Sequence, residues 1–305
     1  MDHVSSSLSS DLTTLKSVRN YFFITKPGIV GGNLVSVLGG FLLASKGQVD
    51  STLMISILFG VALVIAASCV LNNVFDRDVD QLMSRTCNRA LANGQISPHS
   101  AELYALVLGL AGIGLLLVFT NFLTVGIVLL GFIIYVSIYT KLKRSSSYAP
   151  LVGSLAGATP PLAGYCAVAG QFDTAALILL AIFSLWQMPH FYAIAIYRLD
   201  DYRSASIPVL PVKRDVAVTR RHIVGYIITF LFACIALNIA GYTGYWYLVV
   251  ILISGLSWLF LALTGYKQST ERMWARKLFV FSILMIMIVN IMMAIDFVTP
   301  ASKFV

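Results

Sequence analysis

Three polar residues recur at every fourth position directly after an apolar segment. Asn72, Asp76 and Asp80 follow the uncharged run 53–71. Steps of four residues on an α-helix advance about 400°, so these side chains would form one nearly straight stripe. Carboxylates this close repel one another unless a cation lies between them. Mg²⁺ prefers oxygen ligands and is commonly held by one or two carboxylates plus substrate phosphates, so the stripe indicates a site for a metal and a phosphorylated substrate.

The same acidic residues also allow a plainer interpretation, an ordinary solvated loop at the end of a helix. The following segment favours the metal site, because it sets Arg85 and Arg89 opposite the acids within one short loop. Guanidinium groups bind phosphate oxygens in a fixed bidentate geometry. These cations would hold a diphosphate against metal-loaded carboxylates.

A second group of cations ends the fourth apolar run. Lys143 and Arg144 lie there, and Tyr139 precedes Lys143 by one helical turn. Lysines at such a boundary often extend toward lipid headgroups, and this is the favoured interpretation of Lys141. Tyr139, Lys143 and Arg144 together are candidates for a diphosphate clamp.

Two further apolar runs contain polar side chains. In the sixth, the spacing of His190, Tyr197 and Asp201 predicts one helical face, with Trp186 a turn before it. An ionisable group inside a membrane is costly in free energy, so function is the first hypothesis for His190. Asn33 lies in the first run, where its amide would either bond a neighbouring helix or face a cavity.

The composition predicts a polytopic membrane protein with an all-α helical bundle. Charged residues are only 11% of the chain and hydrophobic residues are 58%, whereas soluble domains average about 25% charged residues. At roughly 20 residues per membrane span, the apolar stretches give about nine candidates. They are 24–45, 51–71, 101–119, 123–140, 150–169, 174–197, 222–241, 245–265 and 277–297.

The basic residues predict the orientation of the chain. All of the 21 Lys and Arg residues except Lys46 and Lys303 lie near the start of the first span, or in alternate loops after it and at their edges. The excess of positive charge marks the cytoplasmic side, so the N-terminus is expected inside and the C-terminus outside a bacterial inner membrane. This dispersed pattern explains the net charge of +8 without a nucleic-acid partner. We expect a disordered cytoplasmic segment at 1–20, one transmembrane domain at 21–298 and a short external tail at 299–305.

Taken together, the motifs resemble the intramembrane aromatic prenyltransferases of the UbiA superfamily. Those that carry this resemblance are Asn72-x3-Asp76-x3-Asp80, the Arg85/Arg89 pair and Tyr139-x3-Lys143. Four further motifs are similar to those of the branch of the superfamily that farnesylates haem. The similarity runs from about residue 20 to residue 298. They are Lys26-Pro27-Gly28, Met83-x-Arg85-Thr86-x2-Arg89, Ser184-Leu185-Trp186-Gln187-Met188-Pro189-His190 and Asp201-Tyr202-x4-Ile207-Pro208-Val209-Leu210-Pro211-Val212.

The resemblance implies a UbiA-type bundle of about nine transmembrane helices and a Mg²⁺-dependent reaction. A farnesyl group would pass from farnesyl diphosphate to a vinyl group of haem B, and addition of water would give haem O for terminal oxidases. Haem B is then a substrate rather than a fixed cofactor. A haem A synthase or a terminal oxidase assembly would be the partner that receives the product.

Residue roles follow from the motifs and the resemblance together. The catalytic candidates are Asp76, Asp80, Arg85 and Lys143. The metal candidates are Asn72, Asp76, Asp80, Asp200 and Asp201. The substrate-binding candidates are Asn33, Arg89, Tyr139, Arg144, Trp186, His190, Tyr197 and Arg203. His190 would serve either as an axial ligand of the haem iron or as a polar guide.

The second acidic motif departs from the superfamily pattern. A second Asp-x3-Asp is usual after the sixth span, but here the corresponding positions read Tyr197-x3-Asp201, with Asp200 adjacent. Either Asp200 and Asp201 hold a second metal with fewer carboxylates, or the second cation is weakly bound or absent. The number of Mg²⁺ ions therefore stays open at this point.

Two other functions compete with this one. The first is prenyl transfer to a quinone precursor or another aromatic acceptor, which the missing first Asp of the second motif and the Trp186–His190 segment argue against. The second is a transporter or a non-catalytic assembly factor for terminal oxidases. A transporter has no need of the diphosphate-binding residues, and the Gly/Pro-broken segments show no inverted repeat.

Overall fold

The computed structural model describes residues 17–264 and 270–298, which fold as a bundle of α-helices. Nine of the described helices are long and apolar enough to cross a membrane. They are α2 (Pro27–Ser45), α3 (Ser51–Asp80), α4 (Pro98–Phe119), the composite helix Phe122–Leu142, α7 (Ala149–Ala169), α8 (Thr174–Tyr197), α11 (Val216–Ile239), α12 (Tyr245–Thr264) and α13 (Glu271–Ile295). The composite helix comprises α5 (Phe122–Ile133), a π-helical segment (Ile134–Tyr139) and α6 (Thr140–Leu142). Short helices are α1 (residues 17–24), α9 (Leu199–Ser204) and α10 (Leu210–Lys213).

The nine expected spans are confirmed, with one extension that matters for the site. The second apolar run ends at residue 71, but α3 continues without a break to Asp80. The predicted polar stripe therefore lies on the end of a long continuous helix. This helix packs mainly against α4, whose small residues permit a close approach: a Cβ at Gly112 would lie 2.8 Å from the carbonyl oxygen of Gly60.

The expectation of disorder over residues 1–20 is wrong for 17–20, which belong to α1. Asn20 in this helix donates a hydrogen bond of 2.7 Å to the side chain of Gln95, which ties α1 to the loop before α4. Residues 1–16 and the predicted external tail at 299–305 lie outside the described residues.

Polar side chains at the first turns fix where several helices begin. Asp50, Ser97, Asn121, Asp173 and Asp215 each precede a long helix and accept a hydrogen bond from a backbone N–H in its first turn. Such bonds satisfy donors that have no partner inside the helix. The spans therefore begin at defined residues, and this fixes the level of the side chains farther along them.

Glycines allow α2 and α7 to pack with their backbones nearly in contact. A Cβ at Gly40 would lie 2.1 Å from the carbonyl oxygen of Pro161, and one at Gly164 would lie 2.0 Å from that of Val37. No side chain fits at such distances, so both positions require glycine. Other residues of the same two helices, among them Ser36 and Pro160, line the cavity described below.

Candidate active site

The polar stripe of α3 is buried against neighbouring segments. Asn72, Asp76 and Asp80 are only 3%, 7% and 2% exposed. Burial of carboxylates is costly in free energy unless other groups compensate the charge. Each residue of the stripe does have a cationic side chain beside it.

Arg89 compensates the negative charge of Asp80 at the end of the stripe. Its Nη1 donates to both carboxylate oxygens of Asp80, at 3.0 and 2.8 Å. The Thr86 hydroxyl also donates to the backbone carbonyl of Asp80, at 2.9 Å. The loop after α3 therefore folds back over the helix end and holds a guanidinium at the acidic stripe.

Lys143 and Arg144 lie beside Asp76. The Lys143 ammonium forms an ion pair with Oδ2 of Asp76, and Arg144 Nη2 lies 3.8 Å from Oδ1. Arg144 also donates to the backbone carbonyl of Phe75 and approaches Asp78 at 3.5 Å. The end of the fourth span is thus joined to the acidic stripe of the second.

Lys26 is the cationic side chain beside Asn72, the remaining residue of the stripe. Its Nζ donates to Oδ1 of Asn72 at 2.7 Å, while the amide nitrogen of Asn72 donates to the Thr140 hydroxyl at 3.1 Å. Lys26 has a left-handed backbone conformation with φ 54°, which costs a non-glycine residue about 1–2 kcal/mol. Strain of this kind is often found at functional sites, where the surrounding structure enforces it.

Burial lowers the pKa of the Lys26 ammonium to about 8. Burial also lowers the pKa of Lys143, although the charge of Asp76 acts in the opposite direction. Both ammonium groups have lost most of their hydration, so each gains from a nearby anion. A diphosphate would supply that anion at the level of the acidic stripe.

The chemistry of the stripe fits a divalent cation. Oδ1 of Asp76 is buried and has no hydrogen-bond partner in the structure. A carboxylate oxygen of this kind is an available ligand for a hard metal ion. Across 17–264 and 270–298 there is no group of three His, Cys, Asp or Glu side chains able to enclose a metal by themselves. The donor set therefore fits an ion that shares its coordination with substrate phosphates.

The loops after α3 and α8 meet at this end of the bundle. The Ser84 hydroxyl donates to Asp201 at 2.8 Å, and the Ser204 hydroxyl donates to the carbonyl of Leu82 at 3.1 Å. The Arg85 guanidinium lies 5.5 Å from the ring centroid of Tyr202. The structure thus brings Asp201 and Arg85 into one layer across the end of the bundle.

Asp201 does not share a helical face with His190 and Tyr197, so that prediction is wrong. Helix α8 ends at Tyr197, because Arg198 leaves the helical region with φ −111° and ψ 29°. Asp201 belongs to the separate helix α9.

The neighbouring Asp200 is exposed to solvent, unlike the residues of the stripe. Its side chain is 86% exposed and forms a long ion pair of 3.9 Å with Arg203, itself largely exposed. Asp200 and Arg203 therefore lie at the surface of the site, while Asp201 lies closer to the loop after α3.

Two guanidinium groups approach the ring of Tyr197. Arg198 lies 4.6 Å and Arg272 lies 5.7 Å from the ring centroid. The sequence patterns did not indicate Arg272, because it comes from the start of α13, 75 residues farther along the chain. Together these residues form a cationic and aromatic patch at the end of α8.

A cavity of about 590 Å³ lies among the helices next to the acidic stripe. Ser68 and Cys69 in its wall precede Asn72 by one helical turn, and Tyr139 in its wall precedes Lys143 by one turn. Most of the remaining wall is apolar. The cavity is therefore suited to a long hydrocarbon chain whose polar end reaches the cations.

The π-helical segment shapes one side of this cavity. It sets the rings of Tyr135 and Tyr139 in a stacked arrangement with centroids 5.5 Å apart, and both line the cavity. Lys143 lies 5.6 Å from the Tyr139 centroid. Single π-helical turns are frequent at functional sites because they redirect side chains.

Asn33 faces the cavity, which decides between its two expected environments. It is part of the cavity wall, and its amide donates to the carbonyl of Ile29 in its own helix at 2.8 Å. The side chain therefore presents a polar group to any molecule in the cavity.

Trp186 and His190 line the same cavity from α8 and both contact Ser282 of α13. Nε1 of Trp186 donates to the Ser282 carbonyl at 2.7 Å, and Nδ1 of His190 lies 2.7 Å from the Ser282 hydroxyl. The His190 ring also lies 5.0 Å from that of Phe279. A serine in an apolar span carries no sequence signal of such a role, so Ser282 was missed.

The fold and this site define a class of membrane-embedded prenyltransferase. The family model of the UbiA prenyltransferase family matches residues 33–285. Among solved structures, a digeranylgeranylglyceryl phosphate synthase aligns with a TM-score of 0.76 at 18% identity, covering 92% of this chain and 98% of its own. A UbiA homologue from Archaeoglobus fulgidus bound to GPP and Mg²⁺ aligns with a TM-score of 0.69 at 15% identity, covering 90% of this chain and 99% of its own.

Sequence relatives define the branch. Protoheme IX farnesyltransferase of Photorhabdus laumondii is 54% identical over 94% of this chain and 98% of the relative. The protein of the same name from Yersinia pseudotuberculosis serotype O:1b is 55% identical over 92% and 95%. The chain therefore belongs to the UbiA prenyltransferase family and, within it, to the protohaem IX farnesyltransferases.

Proposed function

We propose that this integral membrane protein transfers the farnesyl group of farnesyl diphosphate to a vinyl group of haem B, with addition of water, to give haem O. The observation that carries the proposal is the position of Asp76. Its buried carboxylate lies between cations, at a level that adjoins the apolar cavity. An elongated substrate with a diphosphate head and a hydrocarbon tail matches both parts. The names of the close relatives support farnesyl transfer to haem.

Mg²⁺ is the metal that we propose for the acidic stripe. Asn72, Asp76 and Asp80 would hold it, and Oδ1 of Asp76, which is buried and has no hydrogen bond, supports this assignment. When bound, the ion supplies charge neutralisation at the diphosphate leaving group. Asp201 is the better candidate for any second position, since Asp200 is largely exposed.

The cations would stabilise the departure of diphosphate. The bond between C1 of the farnesyl group and the diphosphate oxygen breaks, and its electron pair leaves with the diphosphate. Lys143, Arg144 and Arg89 lie beside the acids where that charge develops. Lys26 is added to the candidates by its bond to Asn72. Preorganised cations in a site shielded from water lower the barrier of such a step.

Two cationic carbons, C1 of the farnesyl group and then the carbon beside the porphyrin ring, must be protected from premature reaction with water. The vinyl π electrons of haem B attack C1 of the farnesyl cation, which leaves a cation beside the porphyrin ring. Water adds to that carbon and loses a proton, giving the hydroxyethylfarnesyl substituent. The faces of Tyr139 and Trp186 line the cavity and would stabilise the cations, while the apolar wall limits the access of water.

The cationic patch at the end of α8 is our candidate for the haem propionates. Arg198 and Arg272 approach Tyr197 from two elements, and His190 lies two helical turns earlier on α8. Guanidinium groups are well suited to carboxylates because they bind both oxygens. His190 would then contact the porphyrin while the arginines hold its acidic edge.

Orientation and location belong to the same proposal. The loops that carry the site contain most of the basic residues, which favours the cytoplasmic side of a bacterial inner membrane for the diphosphate site. The product would pass to a terminal oxidase directly or to an enzyme that oxidises haem O further.

The proposed reaction is tested by the product. Purified protein in detergent is incubated with haem B, farnesyl diphosphate and Mg²⁺, with 4-hydroxybenzoate present as a competing aromatic acceptor. We expect haem to gain the mass of one farnesyl group and one hydroxyl group, and the benzoate to remain unmodified. Farnesylated benzoate with unchanged haem would instead identify a prenyltransferase for a quinone precursor.

A further inference from the structure

We propose that Ser282 is a positioning residue that holds His190 as the tautomer protonated at Nδ1, so that Nε2 is available to ligate the haem iron. This inference rests on the proposed function, because it names how the acceptor substrate is held. It chooses between the two roles that the sequence left open for His190. His190 and Ser282 meet where α8 packs against α13.

The hydrogen-bond donors determine the tautomer. A serine hydroxyl has one hydrogen to donate. The hydroxyl of Ser282 lies 2.6 Å from the backbone carbonyl of Phe279, which can only accept, so this bond uses the hydrogen. The same oxygen lies 2.7 Å from Nδ1 of His190 and must accept there. Nδ1 therefore carries the proton, and a neutral ring then has its lone pair on Nε2.

The imidazole ring is held in one orientation by its neighbours. Ser282 is fully buried, and its backbone carbonyl accepts a bond from Trp186. The centroid of the Trp186 ring lies 5.1 Å from that of His190, and the Phe279 ring lies 5.0 Å from it. The Phe191 ring lies 5.8 Å away as well. A ring with three aromatic neighbours and a fixed Nδ1 contact cannot turn freely. Its free nitrogen therefore has a fixed direction.

Nε2 is the part of His190 that remains for a ligand. Within residues 17–264 and 270–298 it makes no hydrogen bond, and His190 belongs to the wall of the cavity. A histidine that binds a metal through one nitrogen usually donates its other N–H to a protein acceptor, which fixes the tautomer. The Ser282 hydroxyl supplies that acceptor here. Imidazole nitrogen is also a common axial ligand of haem iron.

The test is a spectroscopic titration of the full-length protein in detergent with ferric haem B. Wild-type protein should give the visible spectrum of histidine-ligated haem, and His190→Ala should lose it. Added free imidazole should restore that spectrum in His190→Gly. Ser282→Ala should weaken haem affinity roughly 10- to 100-fold, as expected for loss of a residue that orients a ligand. Ser282→Thr, which keeps the hydroxyl, should remain close to wild type.

Ser184→Ala serves as the matched control. Ser184 lies in the same helix as His190, but its hydroxyl contacts the Ser154 carbonyl at 3.4 Å. An unchanged spectrum in His190→Ala would overturn iron ligation, and unchanged affinity in Ser282→Ala would overturn the positioning role. If Ser282→Ala does not fold, the His190 variants and Ser282→Thr still decide the question.

Product analysis distinguishes failure of this inference from failure of the proposed function. Continued farnesylation of haem by His190→Ala, with the wild-type spectrum retained, would overturn the inference alone. Wild-type protein that ligates haem through His190 but forms no farnesylated haem would overturn the proposed function and leave the ligation in place.

Discussion

The ammonium of Lys143 pairs with one oxygen of Asp76, while the other oxygen of that carboxylate is buried and has no hydrogen bond. The two residues come from different spans and meet next to the cavity. One carboxylate can thus hold a cationic side chain and still offer an oxygen to a metal ion. This arrangement is what we expect of a site that binds a metal diphosphate between acids and lysines.

Replacement of Lys143 should weaken the stabilisation of the diphosphate leaving group. In Lys143→Met the leaving group loses a charged hydrogen-bond donor worth about 1.5–3 kcal/mol. We expect kcat/KM for farnesyl diphosphate to fall at least about tenfold. Lys141→Met is the matched control, since Lys141 lies two residues before Lys143 and is exposed to solvent. Equal losses in both variants would contradict a specific role for Lys143.

Arg272 should recognise the propionate groups of haem. Wild-type protein is expected to bind haem B more tightly than its dimethyl ester, because the ester removes both carboxylates. In Arg272→Gln the preference should shrink about tenfold, the scale of one lost charged hydrogen bond. Affinities for both porphyrins can be measured by absorbance titration. Arg276→Gln, one turn farther along α13 and exposed, should keep the full preference.

The bundle itself was largely predictable, but the contacts between distant loops were not. The nine spans follow from long apolar runs, because a membrane interior selects for them directly. The polar stripe from Asn72 to Asp80 could be predicted from the sequence, because a spacing of four residues keeps side chains on one face of a continuous helix. The bond from Ser84 to Asp201 joins the loop after α3 to helix α9, 117 residues farther along the chain, and no local pattern encodes it.

The end of α8 shows where a periodic pattern misleads. The spacing of His190, Tyr197 and Asp201 predicts one face only if the helix continues, and the break at Arg198 separates Asp201 from it. Ser282 illustrates a different limit, because its role arises from packing against another span. Helix periodicity finds residues on one element, and partners on a second element require the tertiary structure.

Close packing of α2 on α7 should be sensitive to one methyl group. Gly40→Ala places a Cβ 2.1 Å from the Pro161 carbonyl, a backbone atom that cannot move aside without shifting α7. We expect the free energy of unfolding to fall by about 1–3 kcal/mol, or more if the helices separate. Thermal unfolding in detergent measures this change. Gly114→Ala, which has open space at the Cβ position, should be neutral or slightly stabilising.

Removal of divalent metal should stop turnover without unfolding the protein. The acids already have cations beside them, with Arg89 at Asp80 and Lys143 at Asp76. Chelation should therefore lower the apparent Tm by less than about 2 °C, which corresponds to under about 1 kcal/mol. Farnesyl transfer should cease and return when Mg²⁺ is restored, while the haem absorbance spectrum stays the same. Full turnover in excess chelator would contradict a metal role for the stripe.

The most direct measurement is the mass of haem recovered after incubation of Asp76→Asn and Asp78→Asn with haem B, farnesyl diphosphate and Mg²⁺. Asp76 is buried beside Lys143, whereas the side chain of Asp78 two residues away is exposed. We predict that the Asp78 variant yields farnesylated, hydrated haem at close to the wild-type rate and that the Asp76 variant yields less than about 1% of it. Comparable product from a folded Asp76→Asn protein would contradict the account.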